Sequence, residues 1–323
     1  MDEMDKRLLT AIQADLPADE RPFDALARRL NLTPEETLLR LRQLAATGVI
    51  RRVGPVFDSR RLGYASTLVT AHVPPERLAE VAGLVSRLPG VTHNYERRHA
   101  LNLWFTLTEP SEEQIRATLD TLARETGVAE FHSLPASAVF KIRVQFDLSD
   151  EQPEPAAPAA GAAAAAPEEL SDEQKALVRL LQQGLRLERD PLATAASQLG
   201  WTAGRIAEQI REWLASGVIR RFGAIVRHRE LGYQANGMAV FQIPPGRVDG
   251  AGRLLAQRTE VSHCYRRPPL PDFPYCLYAM VHGQSEEEVR RIAAGMAPSI
   301  HATQWDVLFS VREFKKTSMQ YFV

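Results

Sequence analysis

The fold is decided by two stretches of sequence, GVIRRVGPVFDSRRLGY at residues 48–64 and GVIRRFGAIVRHRELGY at residues 217–233. They align without a gap at a separation of 169 positions (217 − 48), so the chain contains one module twice. Each element in one half therefore predicts a counterpart in the other. His228 of the second copy stands where the first copy has Ser59, so the two halves are similar but unequal.

The composition indicates an ordinary soluble protein with more than one domain. The 323 residues are 45% hydrophobic and 24% charged, with a formal net charge of −1, which gives no general attraction to nucleic acid. Two cysteines, Cys264 and Cys276, are too few for a disulfide scaffold. The N-terminus lacks the apolar core of a signal peptide and no long uncharged apolar run is present. We therefore expect a cytoplasmic protein with no membrane span.

The order of predicted elements gives the fold class. A Pro/Ala-rich segment, SDEQPEPAAPAAGAAAAAP, separates two copies in which three short helices and a VIRR hairpin form a winged helix-turn-helix. In the first copy, Thr33-Pro-Glu-Glu36 predicts an N-cap, a proline at the first helical position and a capping-box glutamate. Each winged helix precedes a β-α-β-β-α-β ferredoxin-like domain, whose last strand in the first copy is predicted over Ala138–Phe146. The predicted α+β domains are 1–62 and 170–231 (winged helix-turn-helix), 63–148 and 232–323 (ferredoxin-like), and 149–169 (linker).

This plan resembles the leucine-responsive regulator (Lrp/AsnC) family across nearly all of each half. In that family the second domain dimerises and often binds amino acids. Longer motifs resemble siroheme decarboxylase: THNYERRHALNLWFTL (92–107) is similar to its small subunit, and SHCYRRPPLPDFPYCLYAMVHG (262–283), with RRFGAIVRHRELGYQANGM (220–238), is similar to the partner subunit. The resemblance implies that two subunits are fused here into an Lrp/AsnC-like intramolecular pseudo-heterodimer, with further oligomerisation left open.

The same resemblance implies a reaction. Siroheme decarboxylase removes the acetate carboxyl groups on rings C and D of siroheme to give didecarboxysiroheme, in haem d1 or alternative haem biosynthesis. Such a decarboxylation uses the electronics of the substrate, so no organic cofactor is expected and iron enters as part of the siroheme. No metal site beyond that iron is expected either. His93 or His263 could serve as an axial ligand to it.

A flat iron macrocycle with many carboxylates needs an apolar slot rimmed by guanidinium groups, because the arginine fork binds two carboxylate oxygens at once. Four arginine pairs occupy matching positions in the two copies. For the two pairs in the VIRR motifs there is an equal alternative, because the hairpin of a winged helix often carries basic residues on its surface. The pairs are Arg51 and Arg52, Arg97 and Arg98, Arg220 and Arg221, and Arg266 and Arg267.

Strand alternation places polar side chains on equivalent faces of two strands. A polar face on such a sheet is difficult to explain as core, so it predicts a surface that lines a substrate cavity; a hydrogen-bonded dimer interface is the alternative. Met238 is a further candidate, against a face of the macrocycle. The polar residues are His93, Tyr95 and Arg97 in the first copy and His263, Tyr265 and Arg267 in the second.

Decarboxylation leaves carbanion character on the former methylene, and a histidine can deliver the proton near neutral pH. Siroheme has no two-fold axis, so a site between two similar halves must differ between them. The copies differ in histidine: His228 aligns with Ser59, and His99 aligns with Pro269. We therefore predict His99 and His228 as catalytic proton donors.

Two other functions use the same outline. A transcriptional regulator would read DNA with helices at residues 33–46 and 202–215, but each has only two arginines, Arg40 and Arg42 in the first, Arg205 and Arg211 in the second. We therefore expect no nucleic-acid partner. A non-catalytic haem or siroheme sensor would use the same cavity as the enzyme. Dinucleotide, P-loop and HExxH motifs are absent from the sequence.

Overall fold

The computed structural model describes residues 1–142, 166–226 and 235–323. Its helices are α1 (Glu3–Ala14), α2 (Pro22–Leu30), α3 (Pro34–Ala46), α4 (Leu78–Arg87) and α5 (Glu112–Thr126) in the first copy, and α6 (Asp172–Leu181), α7 (Ala193–Leu199), α8 (Ala203–Ser216), α9 (Val248–Gln257) and α10 (Glu286–Ser299) in the second. Its strands are β1 (Ile50–Phe57), β2 (Ala65–Ala71), β3 (Val91–Arg97), β4 (Leu103–Glu109), β5 (His132–Pro135) and β6 (Ala138–Ile142), then β7 (Ile219–Val226), β8 (Ala235–Gln242), β9 (Val261–Arg266), β10 (Leu277–Gly283) and β11 (Gln304–Lys316).

The N-terminus of α3 agrees with the prediction from the sequence, with one exception. The Thr33 hydroxyl accepts a hydrogen bond from the Glu36 backbone N–H at 3.1 Å, and Pro34 is the first helical residue. The predicted capping box is wrong, because the Glu36 carboxylate accepts a hydrogen bond from Arg40 at 3.1 Å instead.

Among the described residues, no helix is both long enough and apolar enough to cross a bilayer.

The two winged helix-turn-helix units share one core. Strand β1 pairs antiparallel with β7, with Gly54 opposite Gly223. The strand after α3 therefore pairs across the copies and does not form the hairpin predicted within its own copy. A Cβ atom on Gly223 would lie 2.3 Å from the Ile12 carbonyl oxygen, so glycine permits the close approach of α1. Buried residues of both copies, and Tyr321 near the C-terminus, form a single apolar cluster.

The two ferredoxin-like units share one sheet of nine strands, in the order β5-β2-β4-β3-β11-β8-β10-β9-β6. The last strand of each copy serves both halves. In the second copy, residues 304–309 of β11 pair with β8 and residues 310–316 pair with β3. In the first copy β6 begins at Ala138, as predicted, and an additional strand, β5, precedes it: β5 pairs with β2 of its own copy, and β6 pairs with β9 of the other. Consecutive strands β5 and β6 form the two edges, so the chain between them brings those edges together.

Alternation along the strands separates an outer face, covered by helices, from an inner face. In β4, Leu103 and Phe105 pack in the cluster beneath α4 and α5, whereas Trp104 faces inward. A corresponding cluster lies beneath α9 and α10. The inner face contains a separate apolar cluster of buried residues, Trp104, Leu134, Met238, Val240, Phe273, Tyr278 and Leu308.

Three predictions concern residues outside the described ranges. They are the catalytic role of His228, the 143–146 part of the predicted last strand, and most of the linker at 149–169. At the end of that linker, Glu168 forms an ion pair with Arg61 at 3.3 Å. This contact places the start of the second copy against the turn that follows β1.

Candidate active site between the two halves

The inner face of β3 carries the polar residues that alternation predicts. The rings of His93 and Tyr95 are 6.2 Å apart, and the Arg97 guanidinium lies 5.8 Å from the Tyr95 ring centroid. Asn94, between them in sequence, points the other way and donates a hydrogen bond to the Ala82 carbonyl of α4 at 3.0 Å. The three side chains therefore share one face, as the sequence predicts.

Strand β9 repeats this arrangement. The rings of His263 and Tyr265 are 6.1 Å apart, and the Arg267 guanidinium lies 5.0 Å from the Tyr265 ring centroid. The Cys264 thiol points outward, 3.8 Å from the Gly252 carbonyl oxygen of α9, and burial raises its pKa to about 12. His263 and Cys264 therefore face opposite ways and do not form a joint metal site.

Arg97 and Arg267 are equivalent residues. Arg97 is buried and donates to the Leu308 carbonyl of β11 at 2.7 Å, and Arg267 donates to the equivalent carbonyl of Leu134 in β5. Neither has an acidic partner among the described residues. Burial lowers the pKa of Arg97 to about 10 and lowers that of Arg267. Two buried cations without an acid are costly, and an anionic ligand would offset that cost.

The sequence match of the arginine pairs needs a correction here. The two hairpins align at a separation of 170 positions (267 − 97), so Arg98 corresponds to Pro268 and Arg266 to Glu96. Arg98 is exposed and lies 3.2 Å from Glu286 of α10, and Arg266 lies 2.9 Å from Asp249 of α9. Both side chains bind helices on the outer side and do not join Arg97 and Arg267.

The VIRR arginines divide into half-buried and exposed members. Arg52 donates to the Gln182 carbonyl at the end of α6, and Arg221 donates to the equivalent Gln13 carbonyl of α1. These two residues tie each strand to the first helix of the opposite copy. Arg51 and Arg220 are the exposed members. Arg51 donates to the Lys316 carbonyl at 3.2 Å, and Arg220 pairs with Asp58 at 2.8 Å and lowers the pKa of that carboxyl.

The inner histidines are hydrogen-bonded to hydroxyl groups. Nδ1 of His93 lies 2.9 Å from the Thr92 hydroxyl, and burial, with Lys316 and Arg51 nearby, lowers the pKa of His93 to about 4. On the other side, the Ser262 hydroxyl lies 2.9 Å from Nδ1 of His263 and 2.6 Å from Nε2 of His282. Burial and the Lys316 charge also lower the pKa of His282.

Arg60 is a candidate site residue that the sequence analysis missed. It lies in the turn after β1 of the first copy, and its charge acts on Tyr265 and Arg267 of the second. Its half-buried side chain forms no hydrogen bond or ion pair with the described residues, whereas the neighbouring Arg61 is paired with Glu168. Its place in the repeated motif, next to the Ser59 that aligns with His228, was an available signal.

His99 lies at a different place from His93. It follows the end of β3, where its Nδ1 accepts a hydrogen bond from the Leu101 N–H at 3.0 Å and its ring meets Phe273 edge-on at 5.2 Å. Burial lowers its pKa, and the nearby Asp306 raises it. Phe273 belongs to the inner apolar cluster, in which Met238 is 5% exposed. The structure thus brings His99 to the apolar cluster and not to the polar faces.

A cavity of about 570 Å³ opens beside Arg267. Pro269, the residue aligned with His99, and Cys276 are among its lining residues. A larger cavity, about 670 Å³, lies between the helix-turn-helix units and is lined by charged residues such as Asp24, Asp190 and Arg211. We place the candidate site at the first cavity and the inner faces, because no predicted site residue lines the second.

The chain is similar to known proteins in both sequence and fold. Residues 61–141 and 230–315 match the AsnC-like ligand binding domain, and residues 5–51 match the siroheme decarboxylase NirDL-like HTH domain. A siroheme decarboxylase of Hydrogenobacter thermophilus is 35% identical over 321 residues, which cover 99% of this chain and 95% of that protein. The chain belongs to the siroheme decarboxylase family.

Other siroheme decarboxylases match the whole chain or half of it. A crystal structure of the siroheme decarboxylase NirDL in co-complex with an iron-uroporphyrin III analogue superimposes with a TM-score of 0.76 at 32% identity, covering 100% of this chain and 95% of that one. The alpha and beta subunits of siroheme decarboxylase from Desulfovibrio desulfuricans are 45% and 37% identical, over 47% and 48% of this chain and 87% and 98% of their own lengths. The fold and the fusion of two subunit-like halves predicted from the sequence are therefore confirmed.

In this member of the siroheme decarboxylase family, the arginines of the two helices that would read DNA in a regulator make contacts within the protein. Arg40 bonds to Asp2, Asp5 and Glu36. The other three are also engaged: Arg42 donates to the Leu187 carbonyl, Arg205 stacks on Trp201 at 3.7 Å, and Arg211 donates to the Ala18 carbonyl. Within the described residues, no cluster of three His, Cys, Asp or Glu side chains could hold a metal ion.

Proposed function

We propose that this protein is a carboxy-lyase that removes the acetate carboxyl groups on rings C and D of siroheme to give didecarboxysiroheme, a step of haem d1 or alternative haem biosynthesis. The observation that carries the proposal is the pair of equivalent inner faces with a buried arginine in each and no acid bound to it. An octacarboxylate macrocycle is the kind of ligand that such cationic, partly apolar faces would hold.

The arginines would bind carboxylates that do not react. Arg97 and Arg267 already donate one N–H to a backbone carbonyl, and the Nε atom of each is buried without a partner. These donors are directed by bonds already made, so they bind a carboxylate with little loss of side-chain entropy. Arg60 would add a third guanidinium on the second face. Holding the reacting acetates as firmly would stabilise the ground state and slow the reaction.

At a reacting acetate, the bond between the methylene carbon and the carboxyl carbon breaks and CO₂ leaves. The electron pair stays on the methylene, delocalised into the macrocycle, until a proton converts it to a methyl group. His99 is our proposed donor for one ring: its Nδ1 accepts the Leu101 N–H, so in the neutral ring the proton sits on Nε2. A carboxylate bound nearby would raise the lowered pKa of His99 towards neutrality.

For the other ring we propose His228, which lies outside the described residues. Its aligned counterpart, Ser59, lies 2.8 Å from the Tyr321 hydroxyl, and Arg60 follows it in the chain. His93 and His263 would serve another purpose. The pKa of about 4 keeps His93 neutral at neutral pH, which suits an axial ligand to the substrate iron better than a proton donor.

The test is anaerobic incubation of the purified protein with siroheme, followed by product mass. We expect the wild-type protein to remove both carboxyl groups, and His99→Ala and His228→Ala each to stop after one. His301→Asn is the matched control: His301 is exposed, and asparagine tolerates its φ of 53°. Tight siroheme binding without any change of mass would overturn the proposal in favour of a sensor. Salt-dependent DNA binding would instead indicate a regulator.

A further inference from the structure

The last strands of the two copies can be matched residue by residue from their contacts. Arg97 donates to Leu308 and Arg267 to Leu134, so β11 and the β5–β6 segment correspond at a separation of 174 positions (308 − 134). Nζ of Lys315 binds the Leu88 carbonyl at 3.0 Å. Nζ of Lys141, at the same separation (315 − 141), binds the equivalent Arg258 carbonyl at 2.6 Å. The match therefore holds along the whole strand.

The residue that follows this lysine differs between the two copies. Lys316 pairs directly with His93 across β11 and β3, whereas its equivalent, Ile142, pairs with His263 across β6 and β9. Directly opposed residues on neighbouring strands share a face of the sheet. One inner face therefore has an ammonium group beside its histidine, and the equivalent face has a butyl group.

The surroundings of Lys316 are cationic. Arg51 donates to the Lys316 carbonyl at 3.2 Å and brings a second positive charge to the same place. The Lys316 ammonium forms no ion pair with the described residues. Glu313, opposite Tyr95, is the nearest acid along the strand, and it is exposed and likewise unpaired within the described chain. The Lys316 charge lowers the pKa of both His93 and His282, so it acts on the space between the faces.

We infer that Lys316 binds one carboxylate of the macrocycle and that, because Ile142 cannot do so, this residue pair fixes which way round the substrate lies between the two halves. The inference rests on the proposed function. Arg97 and Arg267 are alike on both sides, and Arg60 aligns in sequence with Arg229, so none of these arginines gives the ligand a preferred direction. Lys316 is a cation whose equivalent, Ile142, is apolar, and this difference supplies the direction, since the substrate itself has no two-fold axis.

Siroheme affinity and product composition together test this inference. We expect Lys316→Ile to raise the Kd for siroheme about fivefold, because an exposed charge pair is lost. The same variant should accumulate singly decarboxylated product, because some molecules bind the wrong way round. Lys316→Arg should restore both properties. Lys175→Ile, which removes an equal charge from helix α6, is the matched control and should resemble the wild-type protein.

The exchange variant, Lys316→Ile with Ile142→Lys, separates charge from position. It keeps the number of cations and moves one to the opposite face, so affinity should return to within about twofold of wild type while singly decarboxylated product persists. If Lys316→Ile matches Lys175→Ile in affinity and in products, the inference is wrong although the proposed function stands. If the wild-type protein neither binds nor converts siroheme, the proposed function itself fails.

Discussion

Arg97 and Arg267 occupy equivalent places and make the same bond to a carbonyl on the shared last strands, whereas the equivalent Lys316 and Ile142 have opposite chemistry. The first pair joins strands, and the second pair lies on the inner faces beside His93 and His263. Arg52 and Arg221 follow the first pattern, since each holds the first helix of the opposite copy. Contacts that occur in both copies thus support the fold. The difference between Lys316 and Ile142 lies where a ligand without two-fold symmetry would bind.

The largest effect is expected at the matched arginines. Replacing either Arg97 or Arg267 by Met removes a charge-assisted donor and should raise the Kd for siroheme about 30-fold, and the double variant should lose about 1000-fold if the two sites are independent. The free energy of unfolding should change by less than about 1 kcal/mol, because a buried cation without an acid adds little stability. Absorbance titration with siroheme and urea unfolding measure the two quantities.

Unequal losses would break the comparison of these residues. If the Arg97→Met variant binds siroheme far more weakly than the Arg267→Met variant, the two arginines are structurally equivalent but functionally distinct. If both variants instead unfold at much lower urea concentrations with unchanged affinity, they are strand anchors alone. Arg98→Met, which removes an exposed ion pair with Glu286, is the control for charge and should change neither quantity appreciably.

The sequence predicts the polar faces but not their partners. Alternation alone places His93, Tyr95 and Arg97 together, because the side-chain period of a strand is two. It also matches Arg267 with Arg97, but it does not identify their carbonyl partners, Leu308 and Leu134, because the separation between copies grows from 169 to 170 and then to 174 positions. The increase to 174 comes from the longer loop after β9. A constant spacing between the copies therefore does not match the residues of the last strands.

A second effect concerns His93, which pairs with Lys316. Its pKa is about 4 in the folded protein against 6.5 for a free side chain, so between those values only the unfolded chain binds the proton. The stability that this difference contributes is present above pH 6.5 and is lost as the pH falls towards 4. From pH 7.5 to 5 the loss attributable to His93 should be about 2 kcal/mol.

Urea unfolding of the wild-type protein and of His93→Gln at both pH values measures this effect. The variant should lose about 2 kcal/mol less than the wild type on acidification. Lys316→Ile should reduce the loss in part, because the lysine is one cause of the lowered pKa. Equal losses in wild type and His93→Gln would show that the acid response comes from other groups, such as His282 and His99.

Lys316 and Arg60 were absent from the sequence prediction for a physical reason. Each reaches the face of the other copy: Lys316 on β11 lies beside His93 of β3, and Arg60 acts on Tyr265 of β9. Pairing between distant strands follows from the closing of the whole sheet and has no local pattern in the chain. Shared last strands and shared wing strands are therefore the features that sequence analysis of one copy could not supply.

The smallest effect is expected at the turn that positions Arg60. Tyr321 is buried, its hydroxyl lies 2.8 Å from that of Ser59, and its ring meets Phe57 and Tyr64 edge-on. Tyr321→Phe keeps the ring contacts and loses one hydrogen bond, so the free energy of unfolding should fall by about 1 kcal/mol in urea. Ser59→Ala should cost a similar amount and the double variant no more than either, since the two hydroxyls share one bond. Additive losses would show that each hydroxyl acts separately, and the C-terminal segment would then not be what holds the turn beside the second face.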